Sequence, residues 1–244
     1  MIQEIFTMIK AIIFDINGTV TDIYTSESDD HIWRTTANFL DYHGIKIAPE
    51  KLKQEYFFRL KRQKEERNEP FPEFDVIALF ASIIADHSGG EDPELSRNTA
   101  LLFRAAGRYK LQLYDGVKEV LDMLQKKYLL AAVSDGQKIW ALPEIESVGL
   151  GGFFREIIIS SDHGFRKPDR RMFDMALKKL QIRADEAIYV GNDMFHDVYG
   201  AKQAGMKSVF FRSNQGNHEF CGAEADYIIY NFRELPDAVK FLEK

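Results

Sequence analysis

The sequence has little cysteine and lacks any long apolar run. Cys221 is the only cysteine among the 244 residues, so an internal disulfide is impossible. We expect this thiol to behave as a small, buried or half-buried apolar side chain. No apolar run approaches the ~18 residues of a transmembrane helix, and residues 1–10 lack the basic and apolar regions of a signal peptide. These absences predict a cytoplasmic protein with no membrane partner.

Basic residues are not in excess either. Lysine and arginine number 32 against 38 aspartates and glutamates, which gives a formal charge of −6 and a pI of about 5.6. A general nucleic-acid-binding protein usually carries a basic patch, so we expect no nucleic-acid partner, although a local basic pocket could still bind a small anion. The composition does not indicate an oligomeric state.

Six short apolar runs alternate with helical patterns along the chain. The runs occupy residues 11–14, 129–133, 157–159, 187–190, 209–211 and 227–229. Short continuous runs that end in turn residues are typical of strands buried on both faces. Their alternation with helices predicts an α/β protein, with a Rossmann-like three-layer core around a central parallel sheet. Such sheets bind ligands beyond the carboxyl ends of their strands.

One long segment interrupts this alternation. Between residues 25 and 109 the apolar residues recur at helical spacing, in about four stretches that glycine and proline separate. We therefore predict an inserted α-helical cap domain at residues 22–108, and an α/β core formed by residues 1–21 and 109–244.

The first polar group at a strand end contains Asp15, Asn17, Gly18 and Thr19. A carboxylate directly after a buried strand is exposed at the sheet edge and can act as a nucleophile. Gly18 lets the backbone turn tightly, so that amides can face an anion. The alternative is a structural turn in which the threonine caps a helix.

Two more polar side chains with phosphate-binding chemistry follow later strands. Ser134, which precedes Asp135, has a hydroxyl that can donate to a phosphate oxygen, although a turn or a helix cap also explains this serine. Lys167 is a point charge that can bind phosphate and the nucleophile together, although lysines are usually solvated.

The fourth polar group, Asn192, Asp193 and Asp197, follows the run at residues 187–190. Their side chains supply oxygen ligands, which suit a hard cation such as Mg²⁺. An aspartate that caps the start of a helix is the alternative interpretation.

Together the four groups resemble the haloacid dehalogenase superfamily in content, order and spacing, over essentially the whole chain. The helical insertion looks like the small helical cap of that superfamily's first cap class. The Lys-Pro-Asp sequence at Lys167, followed by Met172 and Phe173, is especially similar to its small-molecule phosphatases. The resemblance implies Mg²⁺-dependent hydrolysis of a small-molecule phosphate monoester.

The resemblance also implies a role for each matching residue. Asp15 would attack phosphorus, form an aspartyl-phosphate and bind Mg²⁺ together with the backbone carbonyl of Asn17. Ser134 and Lys167 would hold the phosphoryl group. The other implied roles are substrate contact by Gly18, Thr19 and Asp135, metal ligation by Asn192 or Asp193, and support of the metal site by Asp197.

Asn17 departs from the family pattern. In the superfamily's phosphatases this position is normally aspartate, which protonates the leaving group and then activates water. An amide cannot exchange that proton, and general acid–base catalysis is worth roughly 10²–10⁴-fold. Asn17 is therefore an engineered substitution that traps a bound state, a native residue of a slow or specialised phosphatase, or a sign of different chemistry.

A second departure concerns the metal site. An ungapped match places Asn192 where the family usually has a ligating aspartate, with Asp193 next to it, and we favour Asp193 as the ligand. Fewer charges would weaken Mg²⁺ binding.

Two alternative functions stay open. A 2-haloacid dehalogenase would use the aspartate, the serine and the lysine without a metal, and Arg34 is a candidate for its halide-binding arginine only by position. A non-catalytic protein that binds a phosphate ligand would also tolerate Asn17.

Overall fold

The computed structural model describes residues 8–243. These residues form eight strands: β1 (Ala11–Phe14), β2 (Thr21–Thr25), β3 (Arg108–Leu113), β4 (Leu129–Ser134), β5 (Glu156–Ile159), β6 (Ala187–Gly191), β7 (Lys207–Phe211) and β8 (Tyr227–Ile229). The same residues form nine α-helices: α1 (Asp30–Tyr42), α2 (Pro49–Glu66), α3 (Val76–Ser88), α4 (Pro93–Gly107), α5 (Val117–Leu124), α6 (Lys138–Ser147), α7 (Arg170–Leu180), α8 (Gly200–Ala204) and α9 (Leu235–Leu242). A π-helical segment, Met194–Tyr199, precedes α8.

Six of the strands form one parallel sheet in the order β5-β4-β1-β6-β7-β8. Each of these strands contains one of the six apolar runs, so the predicted α/β class with a central parallel sheet is confirmed. Strand β1 lies between β4 and β6, and the residue after β1 therefore reaches the middle of the carboxyl edge. Parallel sheets bind their ligands at this edge.

Strand β1 is buried on both faces because helices cover each side of the sheet. Ile12 and Phe14 belong to the apolar cluster on the side of α5 and α9, while Ala11 and Ile13 belong to the cluster on the side of α7 and α8. This division follows from the two-residue period of a strand. Asp15 continues the alternation toward the α7 side, where its charged partner lies.

Helices α1–α4 form the insertion and pack around a core of their own. The rings of Trp33, Tyr56, Phe80 and Phe103 contact one another within this core. Aspartate side chains cap three of the four helices at their first turns, namely Asp29, Asp75 and Asp92. The four helices correspond to the four helical stretches predicted between residues 25 and 109.

Strands β2 and β3, which the sequence patterns did not predict, form an antiparallel ribbon at the two ends of the insertion. Neither strand is a continuous apolar run, and each carries an exposed aromatic side chain, Tyr24 or Tyr109. The pattern of a doubly buried strand therefore does not identify them. The predicted domain boundaries, after residues 21 and 108, fall inside this ribbon, and the division into core and cap stays a prediction.

Helix α6 of the sheet-bearing part packs directly against the inserted helices. The Trp140 side chain joins their apolar cluster, and its indole N–H donates to the carbonyl of Ala100 at 2.8 Å. Arg104 of α4 makes a two-point ion pair with the buried Glu144 of α6, at 2.7 and 3.0 Å. Apolar packing and a paired charge thus hold the insertion on α6.

The fold bears on the predictions about membrane-spanning helices, a signal peptide and the burial of Cys221. Within residues 8–243, no helix combines the length and the apolar character needed to cross a membrane. The prediction that residues 1–10 hold no signal peptide concerns a segment that lies mostly outside the described residues.

Cys221 is exposed, so the expectation of burial is wrong. It lies in the irregular connection between β7 and β8, and such connections run over the surface.

Arg104→Met is expected to destabilise the protein, because the buried Glu144 would keep only its longer contact to Arg108, at 3.4 Å. Removal of one partner from a buried ion pair typically costs about 3–5 kcal/mol. Urea denaturation would measure the change in the free energy of unfolding. The double variant Arg104→Met/Glu144→Leu should recover part of the lost free energy of unfolding. An equal loss in the single and the double variant would show that the unpaired Glu144 charge is not the cause.

Candidate active site

Asp15 lies in a polar cleft at the carboxyl edge of the parallel sheet. The cleft has a volume of about 210 Å³ and is formed by the loops after β1, β4, β5 and β6 and by the β7–β8 connection. Its lining consists of Asp15, Asn17, Asp135, Arg166, Lys167, Asn192, Asp193, His196, Asp197, Gln215 and Gly216. All of these except Arg166, His196, Gln215 and Gly216 were predicted from the sequence.

The Lys167 ammonium group is buried between two carboxylates. Its Nζ lies 2.7 Å from Asp15 Oδ1 and 2.6 Å from Asp197 Oδ1, and it donates to the Tyr189 hydroxyl at 3.1 Å. The backbone N–H of Lys167 donates to Asp135 Oδ1 at 2.9 Å, which joins the loop after β5 to the loop after β4. The predicted approach of Lys167 to Asp15 is therefore confirmed.

Burial dominates the ionisation of Asp15. Removal from water raises the pKa of the Asp15 carboxyl to about 7, while Lys167 opposes the rise and Asp197 adds to it. For Lys167, burial alone would lower the pKa. The carboxylates of Asp15 and Asp197 overcome this effect and hold the pKa of the ammonium group well above its ordinary value. Lys167 thus stays charged at neutral pH, where Asp15 exchanges its proton.

The turn after β1 holds the second carboxylate oxygen of Asp15, Oδ2, while Lys167 binds Oδ1. The hydroxyl of the fully buried Thr19 lies 3.0 Å from both Asp15 Oδ2 and Asn192 Oδ1. Gly18 has a φ of 87°, and a Cβ atom there would lie 2.3 Å from Asn192 Nδ2, so only glycine fits. The Gly18 N–H donates to the Thr21 carbonyl. Thr19 thus positions Asp15 and Asn192, and Gly18 leaves room for Asn192; the substrate contacts of Gly18 and Thr19 stay predictions.

Asn192 and Asp193 point in different directions from the loop after β6. The Asp193 carboxylate accepts three backbone N–H groups at 2.7 to 3.0 Å: those of Phe195 and His196, which it caps in the π-helical segment, and that of Asn217 in the β7–β8 connection. The Asn192 amide oxygen instead faces Asp15 across the Thr19 hydroxyl. Of the two side chains, only that of Asn192 faces Asp15, while Asp193 as the metal ligand stays a prediction. Backbone amides occupy its oxygens, as the helix-capping alternative requires.

Both carboxylate oxygens of Asp197 are engaged as well. Oδ1 binds Lys167, and Oδ2 accepts the backbone N–H groups of Asn192 and Asp193 at 3.0 Å each. The residue is almost completely buried. Asp197 therefore fixes the lysine and the loop after β6.

Ser134 has a buried hydroxyl without a partner at the end of β4. Only 1% of the residue is exposed, and its Oγ makes no hydrogen bond within residues 8–243. A buried hydroxyl without a partner is unfavourable, so this position suits a ligand oxygen. Asp135, the neighbouring residue, binds the backbone of Lys167 and lies 3.5 Å from Arg166.

The lysine between two aspartates, the free serine hydroxyl and the amide oxygen all lie at the edge where the superfamily pattern places them. The family model for haloacid dehalogenase-like hydrolases matches residues 9–205. The chain belongs to the haloacid dehalogenase-like hydrolase family.

This haloacid dehalogenase-like hydrolase is similar to several phosphatases. It is 28% identical to the glyceraldehyde 3-phosphate phosphatase of Pyrococcus furiosus over 250 residues, which cover 97% of this chain and 94% of that protein. It is 28% identical to the 5-amino-6-(5-phospho-D-ribitylamino)uracil phosphatase of Escherichia coli over 215 residues, or 86% of each protein. The structure of a 2-haloacid dehalogenase from Pseudomonas syringae matches with a TM-score of 0.71 and 22% identity, over 96% of this chain and 99% of that one. The last likeness concerns the fold alone.

Four residues in the cleft of this hydrolase escaped the sequence analysis. Arg166 and His196 each precede a predicted residue, and this adjacency is the signal that could have indicated them. Gln215 and Gly216 come from the β7–β8 connection, which carries no motif. That connection approaches closely, since a Cβ atom at Gly216 would lie 2.3 Å from the Asn192 carbonyl oxygen.

Arg34, the positional candidate for a halide-binding arginine, lies elsewhere. It is exposed on α1 and lines a separate cleft between α1 and α2, beside Trp33 and Phe57. Within residues 8–243, no arginine of helices α1–α4 lines the active-site cleft. The dehalogenase alternative therefore loses its proposed halide site.

The side-chain oxygen atoms of Asp15 and Asn192 are the candidate ligands for Mg²⁺. Within the described part of the chain, no three His, Cys, Asp or Glu side chains are grouped to hold a metal ion. Asp15 Oδ2 and Asn192 Oδ1 nevertheless share the Thr19 hydroxyl as a neighbour, and Mg²⁺ commonly uses one or two carboxylates with water and phosphate oxygens. When ionised, Asp15 and Asp197 exceed the single lysine by one negative charge, which a cation would offset. The donor set fits Mg²⁺ with one carboxylate ligand.

The raised pKa of Asp15 predicts a pH-dependent stability. Folded Asp15 binds its proton more tightly than unfolded Asp15, so its contribution to the free energy of unfolding is complete below the ordinary pKa of 3.8 and is lost as the pH rises through about 7. Without divalent cations, the wild type should lose stability relative to Asp15→Asn between about pH 4 and about pH 7. Thermal denaturation of both proteins with chelator would measure this difference. A difference that does not vary with pH would contradict burial as the cause.

Proposed function

We propose that this hydrolase cleaves a small-molecule phosphate monoester, with Mg²⁺ bound and Asp15 as the nucleophile. The proposal is carried by the buried Lys167 ammonium group beside the Asp15 carboxylate in a polar cleft. A cation in this position holds the nucleophile and can offset the charge of phosphoryl oxygens that approach it. The two relatives at 28% identity bear the names of small-molecule phosphatases, which supports the same class of substrate.

In the proposed reaction, Asp15 attacks the phosphorus atom while the bond between phosphorus and the leaving alcohol breaks. Water then attacks the phosphoryl group on Asp15, releasing phosphate and the free carboxylate. Lys167 offsets the negative charge where the nucleophile and the phosphoryl oxygens approach each other. The Ser134 hydroxyl donates to a phosphoryl oxygen, which gives this buried group its missing partner.

Three oxygen groups would hold Mg²⁺: the Asp15 carboxylate, the backbone carbonyl of Asn17 and the side-chain amide of Asn192. When bound, the cation supplies positive charge that neutralises phosphoryl oxygens. Asp197 contributes through its bonds to Lys167 and to the backbone of Asn192. Because only one ligand is a carboxylate, we expect weaker Mg²⁺ binding than a site with two would give.

Asn17 restricts which leaving groups can depart readily from phosphorus. Its side-chain oxygen accepts the Thr21 hydroxyl at 3.2 Å, and the residue lines the cleft. The carboxamide cannot carry a proton to an alkoxide. Esters whose alcohol departs without protonation should therefore be the better substrates.

Asn17→Asp is expected to raise kcat on alkyl phosphates by on the order of 10²-fold. The two side chains are nearly isosteric, but only the carboxylic acid can protonate an alkoxide leaving group. The gain should be smaller for p-nitrophenyl phosphate, whose leaving group needs no proton. Steady-state assays with Mg²⁺ on both esters would measure the two gains, and KM should change little because the phosphate contacts are retained.

Asp15→Ala is the inactive control for these assays, because Asp197, the other carboxylate beside Lys167, is almost completely buried and accepts two backbone N–H groups. Release of halide from a 2-haloacid, with and without chelator, would test the dehalogenase alternative in parallel. If Asn17→Asp raises turnover of no ester, Asn17 is not a missing acid. The dehalogenase or the phosphate-binding function would then replace the phosphatase proposal.

Asn192→Asp is expected to tighten Mg²⁺ binding by on the order of 10-fold, because it adds a second carboxylate beside Asp15. Asp193→Asn is the matched control one residue away, and asparagine caps helices as well as aspartate does. Its Mg²⁺ affinity should therefore stay close to that of the wild type. Isothermal titration calorimetry would measure both affinities. A loss in Asp193→Asn without a gain in Asn192→Asp would assign the ligand to Asp193.

A further inference from the structure

Glu73 is a buried carboxylate outside the active-site cleft, in the loop between α2 and α3. Only 2% of the residue is exposed, and within residues 8–243 no lysine, arginine or histidine forms an ion pair with it. A buried carboxylate without a cation is unfavourable unless hydrogen bonds replace its water. The partners that supply those bonds therefore indicate its role.

The Glu73 carboxylate binds two residues of the sheet-bearing core. Its Oε2 accepts the Ser160 hydroxyl at 2.7 Å, and its Oε1 accepts the Gln137 amide at 3.4 Å. Ser160 Oγ in turn accepts the backbone N–H of Gly136 at 2.8 Å. A chain of hydrogen bonds thus runs from the insertion to an amide two residues beyond Ser134.

Other groups of the α2–α3 loop reach the same part of the core. Gln137 donates to the Phe74 carbonyl at 2.8 Å and accepts the Val76 N–H at 3.0 Å. The Phe71 carbonyl accepts the N–H of Arg166, the residue before Lys167, at 2.9 Å. The loop is therefore bonded to both core loops whose side chains would bind the phosphoryl group.

We propose that Glu73 is a positioning residue, which aligns residues 134–137 for phosphoryl binding when the α2–α3 loop is seated on the core. This inference rests on the proposed function, because it requires Ser134 to contact the phosphoryl group. A charged carboxylate is a stronger acceptor than an amide, so Glu73 fixes the Ser160 hydroxyl, and that hydroxyl fixes Gly136. Loss of this alignment weakens phosphate binding beyond any effect on stability.

Glu73→Gln and Ser160→Ala break the chain of hydrogen bonds at two different links. Glu69→Gln is the matched control, because Glu69 lies in the same loop but pairs with Arg171 of α7. Isothermal titration calorimetry with orthophosphate and Mg²⁺ would give the dissociation constants. We expect an increase of about 3- to 10-fold in the first two variants, the scale of one lost hydrogen bond, and no change in Glu69→Gln.

The double variant Glu73→Gln/Ser160→Ala provides a second readout. If both residues act through one chain, its dissociation constant should equal that of the weaker-binding single variant. KM for p-nitrophenyl phosphate should rise in parallel. Equal weakening in Glu69→Gln, additive effects in the double variant, or unchanged phosphate binding in both single variants would overturn the inference.

Orthophosphate binding separates this inference from the proposed function. A wild type that binds orthophosphate but hydrolyses no ester contradicts the proposed function and leaves this test intact. A wild type that binds no orthophosphate at millimolar concentration overturns both. Circular dichroism would establish folding, and if Ser160→Ala is unfolded, the comparison of Glu73→Gln with Glu69→Gln decides the outcome.

Discussion

The Lys167 ammonium group, buried between the carboxylates of Asp15 and Asp197, organises the candidate active site. An ammonium group loses its hydration on burial and is stable there only beside well-placed negative charge. Asp15 follows β1, Lys167 follows β5, and Asp197 lies in the π-helical segment after β6. One cation therefore joins three separate parts of the sheet edge, and the same contacts determine how Asp15 ionises and how the loop after β6 is oriented.

Asn17 and Asn192 carry neutral amides where the family pattern has carboxylates, so they lower the negative charge around this lysine. Asp15 and Asp197 already exceed the single cation by one charge when ionised, and burial already raises the pKa of Asp15 to about 7. Two further carboxylates would raise that pKa again unless a metal ion were bound. The amides thus make the metal-free site less dependent on a cation. In the proposed function, the consequences would be weaker Mg²⁺ binding and the absence of a proton donor, so that stability without metal would oppose catalytic power with metal.

Local patterns were sufficient to predict the parallel sheet and several of the side chains that line the cleft. The runs at residues 11–14 and 187–190 are apolar at every position, as a strand buried on both faces requires, so they can be recognised without their neighbours. The strand ends of a parallel sheet meet at one edge. For that reason the residues after separate runs, Asp15 and Lys167 among them, could be placed together before any contact was known.

Long-range packing selects which oxygen atoms face the cleft. Asn192 and Asp193 are adjacent in sequence, and their different orientations depend on two distant contacts. The Asn217 N–H donates to Asp193 Oδ2, and the Thr19 hydroxyl lies beside Asn192 Oδ1. The β2–β3 ribbon, the exposure of Cys221 and the bond between Glu73 and Ser160 also depend on segments far apart in the chain. No spacing within one segment encodes such contacts, because they form only when the helices have packed on the sheet and brought the separate loops to one edge.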